Sequence, residues 1–377
     1  MRHLRCVLFL GLTASLAWSQ QITLHSPLDY QVFQRQTRAN GKIIFSGQAH
    51  VPADHAEVRM SGTSLSGPLQ GKWHHLSFDK KSGQFHGDIK TNAGGFYQAE
   101  VRLINKHQQV ADIVVPHVGV GEVFVIAGQS NATNYGEVQQ KTQTGMVVSF
   151  NGSEWVIAND PQPGVQDNSK KGSFIPSFGD ALYSKYKVPI GIADVGHGST
   201  SVRQWLPAGE PVLVAPTMSK YVKQDANGQL VSDGTLFNGM MMRIHQLGPH
   251  GFRALLWHQG ESDANQPAEH QITPAQYKEM LEHVIRESRK ESGWDFPWFA
   301  AEATYHNPQD QGSEPFREAQ REVWKDGVAF EGPDTDTLTA AYRQNNGKGV
   351  HFNDAGLKAH GLLWVEKVEA YLDHALK

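Results

Sequence analysis

Five consecutive apolar residues, Val123-Phe124-Val125-Ile126-Ala127, end at Gly128 and give way at once to Gln129-Ser130-Asn131. A strand with one wet face alternates apolar and polar side chains, so a short unbroken apolar run marks a strand covered on both faces. Strands of that kind belong to parallel sheets held between helices. The texture continues to the C-terminus. Helical spacing predicts helices over 177–186, from 274 to about 289, over 316–324 and over 355–376. Strands are expected at 188–195, 254–257, 298–301 and 328–330. The helix at 274 has its own start signal, because Thr273-Pro274-Ala275-Gln276 joins a capping box to a proline at the first helical position.

Upstream the period is two. Tyr97, Ala99, Val101 and Leu103 alternate with Gln98, Glu100 and Arg102, and Val58 and Met60 alternate with Glu57 and Arg59. Shorter strands are expected at 43–45, 76–78 and 113–115, with turns at Asn40-Gly41, Lys81-Ser82-Gly83 and Asn92-Ala93-Gly94-Gly95. The expected fold class is therefore α/β: a three-layer parallel-sheet domain over 119–377, preceded by an all-β sandwich over 20–118.

The first 19 residues read as a secretory signal. Arg2 and Arg5 precede an apolar run from 6 to 16 that is too short to span a bilayer, and small residues follow at Ala17 and Ser19. The expected location is secreted or periplasmic. The one cysteine, Cys6, lies inside that signal, so a processed chain has no disulfide, thiolate nucleophile or thiolate metal site. With 39% hydrophobic and 19% charged residues the chain has a globular balance. A net charge of −4 with scattered lysines and arginines gives no reason to expect nucleic acid or a membrane as partner.

In a parallel sheet, chemistry collects at the C-terminal ends of the strands. Four polar clusters fall at such places. Ser130 sits in Gly128-Gln129-Ser130-Asn131, where a glycine permits a tight strand-to-helix turn and leaves backbone N–H groups free for an oxyanion; alone, the serine reads equally well as a helix cap. The loop 196–205 is rich in glycine and serine, so its backbone can approach a ligand closely, or it is a plain loop. Residues 257–263, Trp257-His258-Gln259-Gly260-Glu261-Ser262-Asp263, follow a buried strand; Gln259 can donate to an oxyanion, and Glu261 and Asp263 can orient neighbours or sit solvated in a turn. His351 directly precedes the last helix, a place for a general base, though one histidine among 19 says little without Ser130.

Together and in this order, the four clusters resemble the SGNH hydrolase superfamily, in its sialate O-acetylesterase and acetylxylan esterase-like branch. Gly-Gln-Ser-Asn is similar to that branch's first block, the loop ending in Gln204-Trp205 to its second, Trp257 to Asp263 to its Trp-x-Gln-Gly-Glu-x-Asp block, and His351-Phe352 with Gly356 to the block carrying its histidine. The resemblance covers the chain from about 123 onwards. It implies an SGNH-type, flavodoxin-like three-layer sheet and a β-rich domain before it. It implies Ser130 as nucleophile, His351 as base, and an oxyanion hole from the Ser130 N–H, the N–H of Gly198 or Ser199, and the Gln259 side chain. No metal and no cofactor are expected. The implied substrate is an acetylated oligo- or polysaccharide, with Trp205 and Trp257 as faces for sugar rings. Another acyl ester, or sugar binding by a weakened relative, are the alternatives. One position departs from the pattern: the aspartate three residues before the histidine is Lys348 here. Asp334, Asp336, Asp354 and Glu261 are the acids that can take its place; a backbone carbonyl is the remaining way to orient the ring.

Overall fold

The computed structural model describes residues 21–376; the signal read at the N-terminus lies outside them. Apart from the short strand Val32–Gln34, which pairs parallel with residues 119–121, the first part of the chain is antiparallel. Its strands are β1 (Ile22–Ser26), β2 (Val32–Gln34), β3 (Asn40–Ala49), β4 (His55–Ser61), β5 (His74–Phe78), β6 (Gln84–Asn92) and β7 (Gly94–Asn105). The period-two reading holds, since Tyr97, Ala99, Val101 and Leu103 are all buried in the core while Gln98, Glu100 and Arg102 are not.

The strand β8 (Gln108–Gly128) joins this region to the next. Over its first half it pairs antiparallel with β7, out to Val120 opposite Gly94. Over its second half it is the central strand of a parallel sheet, flanked by β11 (Ile190–Asp194) on one side and β12 (Ala254–His258) on the other. Outside these lie β9 (Val147–Phe150), with β10 (Trp155–Ile157) antiparallel at its edge, and on the far side β13 (Trp298–Glu302) and β14 (Phe330–Asp334). With the two-residue strands Thr63–Ser64 and Gly67–Pro68, the antiparallel and parallel strands thus form one 16-stranded mixed sheet. The sandwich expected to end at 118 is not set apart by its hydrogen bonds, because residue 118 lies inside β8.

Five long helices cover the parallel half: α1 (Ile175–Tyr186), α2 (Thr235–Leu247), α3 (Pro274–Ser292), α4 (Glu314–Lys325) and α5 (Asp354–Ala375). The strand residues sort by parity into two cores. Phe124, Ile126, Ile190, Ile192, Leu256 and Phe299 pack with Phe178 and Leu182 of α1 and Trp364 and Val368 of α5. Val123, Val125, Ala193, Leu255, Trp257 and Trp298 pack with α2, α3 and α4. Each such large apolar side chain contributes about 1.5–3 kcal/mol by leaving water, and the alternation explains why the strands had to be apolar throughout. Thr273 and Gln276 make the reciprocal capping bonds that the sequence indicated for α3.

Candidate functional site

Gly128 ends β8 with φ +127°, and a Cβ there would stand 2.1 Å from the His258 carbonyl oxygen. Glycine therefore lets the ends of β8 and β12 close together, and the Gln129 N–H donates to that carbonyl at 2.8 Å. The chain then turns at once into a short 3₁₀ turn, Ser130–Ala132. Ser130 is buried, yet among the described residues its hydroxyl and its backbone N–H make no hydrogen bond. The free N–H is that of a residue opening a helical turn.

His351 approaches from the loop before α5. Arg343 braces this loop: its buried guanidinium donates to the carbonyls of Leu338, Thr335 and Val350. Asn131, next to the serine, donates to the Val350 carbonyl at 3.4 Å and to Glu261 at 2.8 Å. One side chain thus ties the Ser130 turn, the Glu261 turn and the His351 loop together. The Tyr135 ring lies against His351, centroids 5.0 Å apart, and fills the space a side chain at Gly198 would need. Burial pushes the His351 imidazole down to about 4; Glu261 pulls it up, and Lys171 and Arg343 add to the depression.

The other clusters close the same rim. His197 donates its N–H to Gly128, and Gln129 Oε1 accepts from Ser262 N at 3.0 Å. Two expected oxyanion donors are already occupied. The Gly198 N–H donates to Asp167 at 2.6 Å. The fully buried Gln259 amide donates to Asp263 at 2.7 Å and to the Thr200 carbonyl at 3.1 Å. Ser199 is exposed, adopts φ +61°, and its N–H makes no hydrogen bond among the described residues. It holds a conformation that favours glycine.

Asp334 and Arg317 pair at 2.7 Å, Asp336 accepts from Thr304 and Tyr305, and Asp354 accepts from Gln140 and Lys358. None of the three meets His351. Glu261 is closer to the base in effect: it is fully buried, accepts from Asn131, and pairs with His258 at 2.9 Å. Its carboxyl is held low; burial pushes it up, but His258 and the Asn131 bond outweigh that. The tryptophans expected to face sugar, Trp205 and Trp257, instead pack edge-on against each other inside the core, both fully buried.

The carbohydrate esterase, sialic acid-specific acetylesterase family matches residues 120–369 by its profile. The chain belongs to that family. The match begins inside β8 and takes in all four clusters. No curated protein matches the chain. Among solved structures, a carbohydrate acetylesterase from Xanthomonas citri superposes with a TM-score of 0.58 at 19% identity, covering 94% of this chain and 76% of that one. A protein from Arabidopsis thaliana gives 0.46 at 16% identity, covering 67% and 98%. Sequence reading missed Tyr135, Asp167, Arg343 and Gln344 in this family member; none carries a motif, Asp167 reaches the site through the topology, and the other three lie close in sequence to Ser130 or His351. No described helix is long and apolar enough to cross a membrane. The one described group with metal-ligand spacing, His55, Glu57 and His75, lies on β4 and β5, where Arg102 already holds Glu57 at 2.7 Å.

Proposed function

We propose that this family member is an exported O-acetylesterase acting on sugar hydroxyls through an acyl-serine. Ser130 Oγ attacks the acetyl carbonyl as its proton passes to His351. The oxyanion is held by the N–H groups of Ser130 and Ser199, the two that are free, while the Gln259 amide positions Asp263 and the second loop. Collapse expels the sugar alkoxide, which takes the proton from His351. Water, deprotonated by the same ring, then releases acetate and restores the serine. The antiparallel strands brace this catalytic part.

The observation that carries the reading is Asn131, which links the turn of the unbonded Ser130 hydroxyl to the His351 loop. Acetate release from acetylated xylan, pectin and sialosides tests it. Ser130→Ala and His351→Ala should each lower turnover by about 10⁴-fold or more with unchanged circular dichroism. Full activity in Ser130→Ala would sink the mechanism. Preference among the three substrates, and for p-nitrophenyl acetate over longer acyl chains, separates a sugar acetylesterase from one for other acyl groups.

A further inference from the structure

A base that receives a serine proton needs its other ring nitrogen held, so that the tautomer and the ring plane are fixed. At the place of the usual acid stands Lys348, whose side chain is exposed. The group that does meet His351 is Gln344. Its side-chain amide nitrogen lies 2.9 Å from Nδ1. The contact is built in by the backbone: the Gln344 N–H donates to the His351 carbonyl at 2.9 Å, and the Gly349 N–H to the Gln344 carbonyl at 3.1 Å. Arg343 and Phe352 pair next to them as a bridge. Gly349 makes room, since a Cβ there would stand 2.4 Å from Gln344 Cγ. Seven residues apart in sequence, the two side chains face each other across a closed loop.

We propose that Gln344 is the positioning residue of His351 and stands in for the missing triad acid. This rests on the reading of Ser130 and His351 as nucleophile and base. A carboxylate only accepts, so it fixes one tautomer. An amide both donates and accepts. With its nitrogen at Nδ1, the ring carries its proton on Nε2 and has no lone pair there for the serine. A half-turn of the amide brings Oε1 to Nδ1, which then donates its own proton and leaves Nε2 free as base. Gln344 therefore permits both tautomers where an acid would select the working one. Being neutral, it also leaves the imidazolium formed during turnover without a bonded counter-charge, in line with the depressed basicity of the ring.

The test is the pH profile of kcat/KM on p-nitrophenyl acetate for wild type, Gln344→Glu, Gln344→Ala and Lys348→Asp, together with ¹⁵N chemical shifts of the His351 ring. Gln344→Glu should move the acidic limb upward by a pH unit or more, raise kcat about tenfold, and shift the ring to the Nδ1–H tautomer. Gln344→Ala should lower kcat about 100-fold with little change in KM. Lys348→Asp should leave both limb and tautomer in place. An unmoved limb and tautomer in Gln344→Glu would overturn the proposal, and so would a limb moved by Lys348→Asp. Should the glutamate variant not fold, the ring shifts of wild type against Gln344→Ala decide: identical tautomer populations refute it. Ser130→Ala, run alongside, separates the two readings, because retained activity there rejects the hydrolase mechanism itself.

Discussion

A general base works only when unprotonated, and burial pushes the His351 imidazole down to about 4. Above that value the ring is neutral and competent; below it the ring is charged and cannot accept the serine proton. The kcat/KM of the free enzyme should therefore rise through about pH 4 and be nearly flat from pH 5.5 to 7, whereas an ordinary histidine gives a limb near 6.5. A limb centred near 6.5 would show that the ring is solvated. At this scale the sequence singled out Ser130 and His351, the proposed nucleophile and base, because a glycine turn and a helix start fix their local geometry. It did not disclose which N–H groups were free. Gly198 and Ser199 are equivalent on paper; only the fold brings Asp167 onto one of them. Likewise the orienting acid was sought at Asp334, Asp336, Asp354 and Glu261, but each has another partner in the fold.

Between elements, the buried Asp263 carries the junction of the second and third clusters. It accepts from the Ser201 hydroxyl, from Val202 N at 2.8 Å and from Gln259, and it lies 3.4 Å from the fully buried Arg203. Ser201 in turn caps the turn Val202–Trp205 with Gln204 in a capping box. Asp263→Ala leaves a guanidinium without its counter-ion and frees the Gln259 amide. It should cost about 3–5 kcal/mol, read as a lowered urea midpoint, whereas a loss below about 1 kcal/mol would mean the loop is held by packing alone. The elements themselves were largely legible. The strands at β8, β11, β12 and β13 and the helices α1, α3, α4 and α5 fall where apolar periods and caps put them. The helix α2 was not foreseen. It starts after Gly234 in a left-handed conformation with no side-chain cap, and has Gly239 in its interior. Its apolar positions, Leu236, Phe237, Met240, Met241 and Ile244, do repeat with helical spacing. For β14, which begins at Phe330 rather than 328, the alternation was too short to set a boundary.

Over the whole molecule, the antiparallel and parallel parts are joined from inside at Glu122. This fully buried residue lies where β8 exchanges its antiparallel partner for its parallel ones. Its carboxylate accepts from Arg35 Nε at 2.6 Å, from Arg253 Nε at 2.7 Å and from Gln34 at 2.9 Å. Arg35 and Gln34 come from the β2 segment, which pairs with β8 at 119–121, and Arg253 leads into β12. One negative charge between two guanidiniums therefore binds the two regions from inside. A charge so placed is dangerous to remove, since its partners stay buried without compensation. Glu122→Gln should cost about 3–5 kcal/mol. The strand is shared, so the protein should unfold in urea as a single cooperative step, with far-ultraviolet ellipticity and acetate release lost together in wild type and variant alike. The variant's midpoint should fall without a change of slope. If activity instead survived a first structural transition, the antiparallel strands would be a separable domain, as the alternation in the sequence first suggested, and Glu122 a local contact of the catalytic part alone.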